Sequence, residues 1–156
     1  MKITFIVVGS LKASYYRDAV SDYFKRLSRY MRVDVVEVRE AAGSIKMPVS
    51  DSLRKEAGRI LEKVSTSDIV VACADSGKGF TSKGFSTFIE GQMSAGCKNL
   101  VFIVGGSYGL HPSVIEAAHT VLSLSRMTLP HDLARLVLFE QVYRAFTIIK
   151  GEPYSH

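Results

Sequence analysis

Three short runs of apolar, mostly β-branched residues constrain the fold of this chain more than any other feature. They are KITFIVV (Lys2–Val8), DIVVACA (Asp68–Ala74) and NLVFIV (Asn99–Val104). Runs this short and this continuously apolar are typical of strands that are buried on both faces, as in parallel sheets. Longer segments with helical spacing lie between them. The order predicts an α/β fold, with a mainly parallel sheet flanked by helices.

The remaining elements follow from weaker patterns. Two further strands are predicted, at Val33–Val38 and Thr120–Leu124. Loops are predicted at Glu40–Val49 and at DSGKGFTSKG (Asp75–Gly84), because glycine, proline and small polar residues interrupt the periodicity there. Five helices are predicted, at Ser14–Met31, from a cap at Ser50 or Asp51 to about Val64, at Ser86–Ala95, at Pro112–His119 and at about His131–Lys150.

Composition narrows the class of protein. The chain has 156 residues, 47% of them hydrophobic and 22% charged, which suits a single domain over residues 1–156. No stretch approaches the length of a membrane span, and we expect the N-terminal apolar run to be a strand rather than a signal peptide. Cys73 and Cys97 show no metal-ligand spacing, so we expect reduced core thiols in a cytoplasmic protein. A net charge of +5, with basic residues clustered at Lys25–Arg32, permits a polyanionic partner but does not require one.

Three predicted loops define a candidate site. They follow the strands that end at Ala74, Val104 and Leu124. In parallel α/β sheets, ligands bind beyond the carboxyl ends of the strands. We therefore expect these loops to form one site if the strands are neighbours, although strand order cannot be read from the sequence.

The loop GGSYGLHP (Gly105–Pro112) allows more than one interpretation. Its glycines let the backbone approach a ligand closely, although a tight strand-to-helix turn would need glycines too. It also matches the G-x-S-x-G pattern of serine hydrolases, with Ser107 as nucleophile and Asp132 and His156 following in order. Against this, Pro112 starts the helix late and His156 is terminal. DSGKGF (Asp75–Phe80) lacks the glycine and the hydroxyl residue of a P-loop.

The segment LSRMTLPH (Leu124–His131) combines backbone polar groups with apolar side chains. That combination suits a flat heteroaromatic with a polar edge, such as adenine, but a capped loop with no ligand would look the same. Thr128 is a candidate cap for the final helix, with Pro130 in its first turn.

The final helix is apolar around most of its circumference. Only a narrow strip through Arg135, Glu140 and Arg144 is polar. Such a helix must be covered on both sides, and in a chain this small we expect the sheet to cover one side and a second copy of the chain the other.

Three motifs, GGSYGLH, LSLSRMTLPH and EQVYRAFTIIKGEPY, resemble the ribosomal RNA large subunit methyltransferase H family of the SPOUT superfamily. The resemblance extends from KITFIVVGSLK to GEPYSH. It implies a homodimer with a deep trefoil knot near the C-terminus, a rare exception to unknotted topology. It also implies methyl transfer from S-adenosylmethionine to N3 of a pseudouridine in 23S rRNA of the assembled ribosome.

The resemblance also implies the site residues. The cofactor contacts fall on Cys73, on Gly105 and on Leu124, Ser125, Arg126, Met127, Thr128 and Leu129. The catalytic, RNA-side positions fall on His131, Tyr143, Arg144 and Tyr154. Arg144 is the favoured cation beside N3, with His131 or the tail assisting and Tyr143 or Tyr154 stacking on the base. Ser155 stands where the family usually has histidine. The alternatives are a serine hydrolase using Ser107 and a non-catalytic dimeric ribosome-binding module.

Overall fold

The computed structural model describes residues 1–41 and 48–154, which form a five-stranded, wholly parallel sheet in the order β2-β1-β4-β3-β5. In chain order the elements are β1 Lys2–Val8, α1 Ser14–Leu27, β2 Arg32–Val38, α2 Val49–Leu61, β3 Ile69–Gly79, α3 Ser82–Ser94, β4 Asn99–Val104, α4 Pro112–Glu116, β5 Thr120–Ser123 and α5 His131–Ile149.

Helices cover both faces of this sheet, and the apolar runs are continuous for that reason. Along β1, Ile3, Phe5 and Val7 point into one core, and Ile6 and Val8 point into the other. The first core is completed by residues of α1, α3 and α5, and the second by residues of α2 and α4. The predicted α/β class and the mainly parallel sheet are confirmed.

The longest departure from prediction is in β3. We expected the strand to end at Ala74, but it continues to Gly79, and Lys78 and Gly79 pair with Leu122 and Ser123 of β5. Pairing with a neighbour therefore overrides the weak strand propensity of DSGKG. Helix α3 also begins earlier than predicted, because the Thr81 hydroxyl accepts a hydrogen bond from the Gly84 N–H (3.0 Å).

Two predicted helix caps are wrong. Helix α2 begins at Val49 with Pro48 at its N-cap, so Ser50 and Asp51 lie inside the first turn and cap nothing. Helix α5 begins at His131 with Pro130 at its N-cap, and Thr128 does not cap it. In both cases the fixed φ of proline sets the entry into the helix.

Other predicted ends differ by a few residues. Six predicted elements end one to four residues later than the observed ones, namely Ser14–Met31, the helix to Val64, Ser86–Ala95, Pro112–His119, Thr120–Leu124 and His131–Lys150. Most of the predicted loop Glu40–Val49 lies outside the described residues. Within residues 1–41 and 48–154, no helix is both long enough and apolar enough to cross a membrane.

The predicted polar strip of α5 is corrected by the position of Arg135. This side chain is 2% exposed, and its Nη2 donates hydrogen bonds to the carbonyl oxygens of Val8 and Gly9 at 3.0 Å each. Around the helix axis, Arg135 points about 140° away from Glu140 and about 180° away from Arg144, given 3.6 residues per turn. It therefore points to the end of β1, and only the other two share a face.

Candidate active site

The ends of β3, β4 and β5 meet at one cleft, as we expected from the loop positions. β3 lies between β4 and β5 in the sheet, so the segments that leave these strands are brought side by side. The cleft has a volume of about 870 Å³ and is lined by residues 73–76, 104–110 and 124–131 except Arg126. Ligand pockets usually measure about 300–1,000 Å³. The size fits a nucleoside-sized ligand.

The glycine loop after β4 forms one wall of the cleft. A Cβ atom on Gly105 would lie 2.2 Å from the Gly109 carbonyl oxygen, so no other residue fits without moving the backbone. The loop closes on itself through a hydrogen bond from the Gly109 N–H to the Gly106 carbonyl (3.0 Å), and Gly109 has φ of +80°. These glycines are therefore required by the shape of the wall.

The opposite wall is the segment that joins β5 to α5. The Ser123 hydroxyl donates to the Ser125 carbonyl (2.9 Å), and the Ser125 hydroxyl accepts from the Met127 N–H (3.0 Å). These bonds fix a turn that leaves Leu124, Thr128 and Leu129 along the cleft, with Met127 76% exposed. Arg126 is the one predicted cofactor residue that does not line the cleft.

Cys73 lies at the floor of the cleft as an unpaired thiol. Burial raises its pKa to about 12, because a thiolate would lose its hydration there. The thiol is therefore neutral at physiological pH, and it acts as a small apolar surface rather than as a nucleophile.

His131 is the predicted catalytic residue that reaches the cleft, where it opens α5. Its Nε2 lies 3.1 Å from Oδ1 of Asp132, close enough for an ion pair when the ring is protonated, but without the geometry of a hydrogen bond. Asp132 also complements the positive N-terminal end of the helix.

The other predicted catalytic residues form a second group. Arg144 donates from Nε (2.9 Å) and Nη2 (2.6 Å) to Oε1 of Glu140, and its guanidinium carbon lies 4.8 Å from the centre of the Tyr154 ring. These hydrogen bonds raise the pKa of Arg144, so the side chain stays charged. Thirteen residues separate His131 from Arg144 on α5, which is about 20 Å at 1.5 Å per residue. One chain therefore does not bring the two together.

Tyr154 is held in this group by its hydroxyl. The hydroxyl donates to Glu140 Oε1 (3.2 Å) and lies 3.2 Å from the hydroxyl of Tyr23. Burial, together with these hydrogen bonds, raises the pKa of Tyr154 well above its usual value. The phenol is thus a hydrogen-bond donor and not a base at neutral pH.

Tyr143 is the centre of an aromatic cluster. Its ring centroid lies 5.9 Å from that of Tyr23, 6.0 Å from that of Tyr30 and 4.8 Å from that of Tyr154, while the guanidinium of Arg26 lies 5.9 Å from it. The tail is tied to the same cluster, since the Tyr30 hydroxyl donates to Glu152. The cluster ties α1 to α5 and to the tail, and it occupies much of the Tyr143 ring surface.

The serine hydrolase alternative finds no support in this geometry. Ser107 lines the cleft, but its hydroxyl makes no hydrogen bond to a histidine or carboxylate among residues 1–41 and 48–154. Asp132 is next to His131 instead, and the histidine that the motif requires, His156, lies outside the described residues. In the same described part of the chain, no group of three or more His, Cys, Asp or Glu side chains could hold a metal ion.

Some residues of the site were missed by the sequence interpretation. Asp75 and Ser76 line the cleft. The loop after Ala74 was expected at the site, but neither of these residues was predicted to contact a ligand. Glu140 accepts a hydrogen bond from Arg144, and the Tyr23 hydroxyl lies within hydrogen-bond distance of the Tyr154 hydroxyl. The spacing of Glu140 and Arg144, four residues apart on a helix, was the available signal for one of these contacts.

Comparison with known proteins decides the family. The family described as "Predicted SPOUT methyltransferase" matches residues 1–156. The chain belongs to this SPOUT methyltransferase family. The family's fold is also present in two solved structures. A tRNA (m1G37) methyltransferase from Aquifex aeolicus superimposes with a TM-score of 0.59 at 14% identity, covering 100% of this chain and 75% of that one. A probable methylase family protein from Haemophilus influenzae Rd KW20 gives 0.55 at 12% identity, covering 99% and 70%.

Closer relatives of this SPOUT chain carry a common name. Proteins called ribosomal RNA large subunit methyltransferase H, from Streptococcus uberis and Ruminiclostridium cellulolyticum, are 43% and 45% identical to it over 157 residues. The alignments cover 99% of this chain and 99% of each relative. A protein of the same name from Carboxydothermus hydrogenoformans is 43% identical over the same length. The family resemblance predicted from the motifs is confirmed.

Proposed function

We propose that this protein methylates N3 of a pseudouridine in the large-subunit ribosomal RNA of the assembled ribosome. S-adenosylmethionine is the proposed methyl donor. The observation that carries the proposal is the full-length relationship to proteins named ribosomal RNA large subunit methyltransferase H. The single domain over residues 1–156, the homodimer, the trefoil knot and the cytoplasmic location belong to the same proposal.

The residues of the cleft fit the cofactor that SPOUT methyltransferases generally use, S-adenosylmethionine. A side chain at Gly105 would meet the Gly109 backbone, so glycine at this position lets the loop close on itself and keep the shape of the cleft wall. The apolar side chains of Leu124 and Leu129, beside the backbone of the same segment, suit an adenine ring. Cys73 and Gly105 would contact the part of the cofactor that extends away from the adenine ring.

The protein's own task is to position the target nitrogen and to remove its proton. When bound, the cofactor supplies an electrophilic methyl group on a sulfonium. The imide N3 must lose its proton as the N–CH3 bond forms and the S–CH3 bond breaks, so negative charge develops on the ring. Arg144 is the cation we assign beside that charge, because Glu140 orients its guanidinium through two hydrogen bonds.

The remaining RNA-side residues have different roles. His131 lies at the cleft, where it can receive the N3 proton directly or through water. Tyr154 stays protonated and donates hydrogen bonds, so we assign it a positioning role beside Arg144. Tyr143 holds the cluster together, and its stacking on the base remains a prediction.

The distance of about 20 Å between His131 and Arg144 favours a site completed by a second copy. On α5, four half-buried apolar side chains outside both cores lie on the same helix face as Glu140 and Arg144, and they are Leu133, Leu136, Val137 and Ile148. An isologous dimer packs such a face against itself about a two-fold axis. Two α5 helices crossing in antiparallel orientation would bring Arg144 of one subunit toward the cleft of the other.

The test is methyl transfer from tritiated S-adenosylmethionine to assembled ribosomes, prepared with and without the target pseudouridine. We expect label in large-subunit RNA only when the pseudouridine is present. Turnover would also exclude the non-catalytic ribosome-binding module. No transfer to pseudouridine-containing ribosomes, with an active control enzyme, would contradict the proposed function.

Arg144→Ala tests the assignment of the cation. We expect the transfer rate to fall about 100-fold or more, which is the usual loss when one charge-stabilising donor is removed, and cofactor affinity to change less than about twofold. Arg54→Ala is the matched control, since Arg54 is exposed on α2, against the opposite face of the sheet. An equal loss of transfer and of cofactor binding would overturn the assignment.

A further inference from the structure

The strand β3 makes a four-residue excursion at the cleft. Cys73 and Lys78 both pair with Leu122 of β5, so Ala74, Asp75, Ser76 and Gly77 are extra residues on the β3 side. A Cβ atom on Gly77 would lie 2.6 Å from the Leu122 carbonyl carbon and 2.7 Å from that of Val121. The excursion is therefore packed directly on the backbone of β5, and only glycine allows this contact.

This packing presents Asp75 to the cleft. Among the residues of ranges 1–41 and 48–154 that line the cleft, Asp75 is the only carboxylate, and its side chain is exposed. It makes no hydrogen bond or ion pair with any residue of the described ranges 1–41 and 48–154. Its two oxygens, each with two lone pairs, are open to a ligand.

Strand order indicates which part of the ligand Asp75 meets. β3 lies between β4, which carries the glycine loop, and β5, which leads into residues 124–129. A ligand that spans these two walls must pass the end of β3. This step rests on the proposed function, in which the adenine ring of the cofactor lies against residues 124–129. The ribose is joined to the adenine, so it is the part of the cofactor that would meet the end of β3.

We infer that Asp75 binds the vicinal hydroxyl groups of the cofactor's ribose. The two hydroxyls are donors and carry no charge, so a carboxylate can accept from both in charge-assisted hydrogen bonds. Dinucleotide-binding folds use an acidic residue on ribose for the same reason. The amino-acid end of the cofactor carries both an ammonium and a carboxylate, so its attraction to Asp75 and its repulsion from it largely cancel, whereas the ribose offers donors only.

Binding measurements with three proteins and four ligands test this inference. The proteins are wild type, Asp75→Ala and the control Asp51→Asn, which changes an exposed aspartate on α2. Titration calorimetry measures S-adenosylhomocysteine and 5′-methylthioadenosine, which has the ribose but lacks the amino-acid end. Competition experiments compare adenosine with 2′,3′-dideoxyadenosine.

We expect Asp75→Ala to weaken both titrated ligands by the same factor, about tenfold to 100-fold for hydrogen bonds to a charged group. Wild type should prefer adenosine over dideoxyadenosine, and Asp75→Ala should lose most of that preference. Asp51→Asn should behave as wild type in every titration.

Three results would overturn the inference. Unchanged affinities in Asp75→Ala would show that the carboxylate does not contact the ligand. Weaker binding of S-adenosylhomocysteine alone would place Asp75 at the amino-acid end. If wild type bound none of the ligands, the proposed cofactor itself would be wrong, which is distinguishable from the first two results.

Discussion

Arg135→Met should destabilise the protein, because Arg135 connects α5 to the end of β1. Its Nη2 donates to the carbonyls of Val8 and Gly9, and each hydrogen bond to a charged group contributes about 1.5–3 kcal/mol. Burial of the guanidinium offsets part of this, because its Nε has no hydrogen-bond partner in the described part of the chain and desolvation lowers the pKa of Arg135. We expect a net loss of about 2–4 kcal/mol, out of the roughly 5–15 kcal/mol that typically stabilises a domain.

Urea unfolding followed by far-UV circular dichroism, at fixed protomer concentration, measures this loss. A chain of this length should also lose about 5–15 °C in Tm. Arg59→Met is the matched control, because Arg59 donates one hydrogen bond to the Arg39 carbonyl at the surface (2.7 Å). It should cost less than about 1 kcal/mol. Equal unfolding midpoints for the two variants would refute the reasoning that burial makes the Arg135 contacts strong.

Two further predictions concern the cleft. Gly105→Ala places a Cβ against the Gly109 carbonyl. Cofactor affinity measured by calorimetry should therefore fall at least about tenfold, while the far-UV circular dichroism spectrum is retained. Unchanged affinity would show that this wall of the cleft can move. Burial raises the pKa of the Cys73 thiol from 9.0 to about 12. The stability that this thiol contributes is complete below pH 9, and it is lost as pH rises toward 12 because the thiol ionises more easily in the unfolded chain. Unfolding free energies of wild type and Cys73→Ala, compared between pH 8 and 11, should therefore converge as pH rises, and a constant difference would contradict a buried neutral thiol.

The sequence was informative wherever a local pattern and a tertiary contact agree. The apolar runs of β1 and β4 are buried on both faces, so pattern and burial coincide and the strand ends were predicted to the residue. The cleft followed from a general property of parallel sheets, and so did the positions of Gly105 and Leu124 within it.

The wrong helix caps have a local cause, the prolines Pro48 and Pro130, but the errors at β3 and at Arg135 come from contact with elements distant in sequence. Lys78 and Gly79 are in a strand because β5 pairs with them, although DSGKG has no strand pattern of its own. Arg135 is charged, so periodicity alone placed it with the polar residues, yet two carbonyls at the end of β1 make its burial favourable. The loop after Ala74 was expected at the site, but Asp75 was not singled out, because its place in the cleft depends on the excursion packed on β5.

The helix α5 also fixes the distance and the relative direction of His131 and Arg144. It begins at the cleft with His131 and carries Arg144 thirteen residues later, without a break. Inserting or deleting a single residue between them would rotate Arg144 by about 100° and shift it by about 1.5 Å, since each residue advances a helix by that amount. The guanidinium would then face another direction even if every side chain were kept. The number of residues between His131 and Arg144 is therefore as much a part of the proposed site as the two side chains themselves.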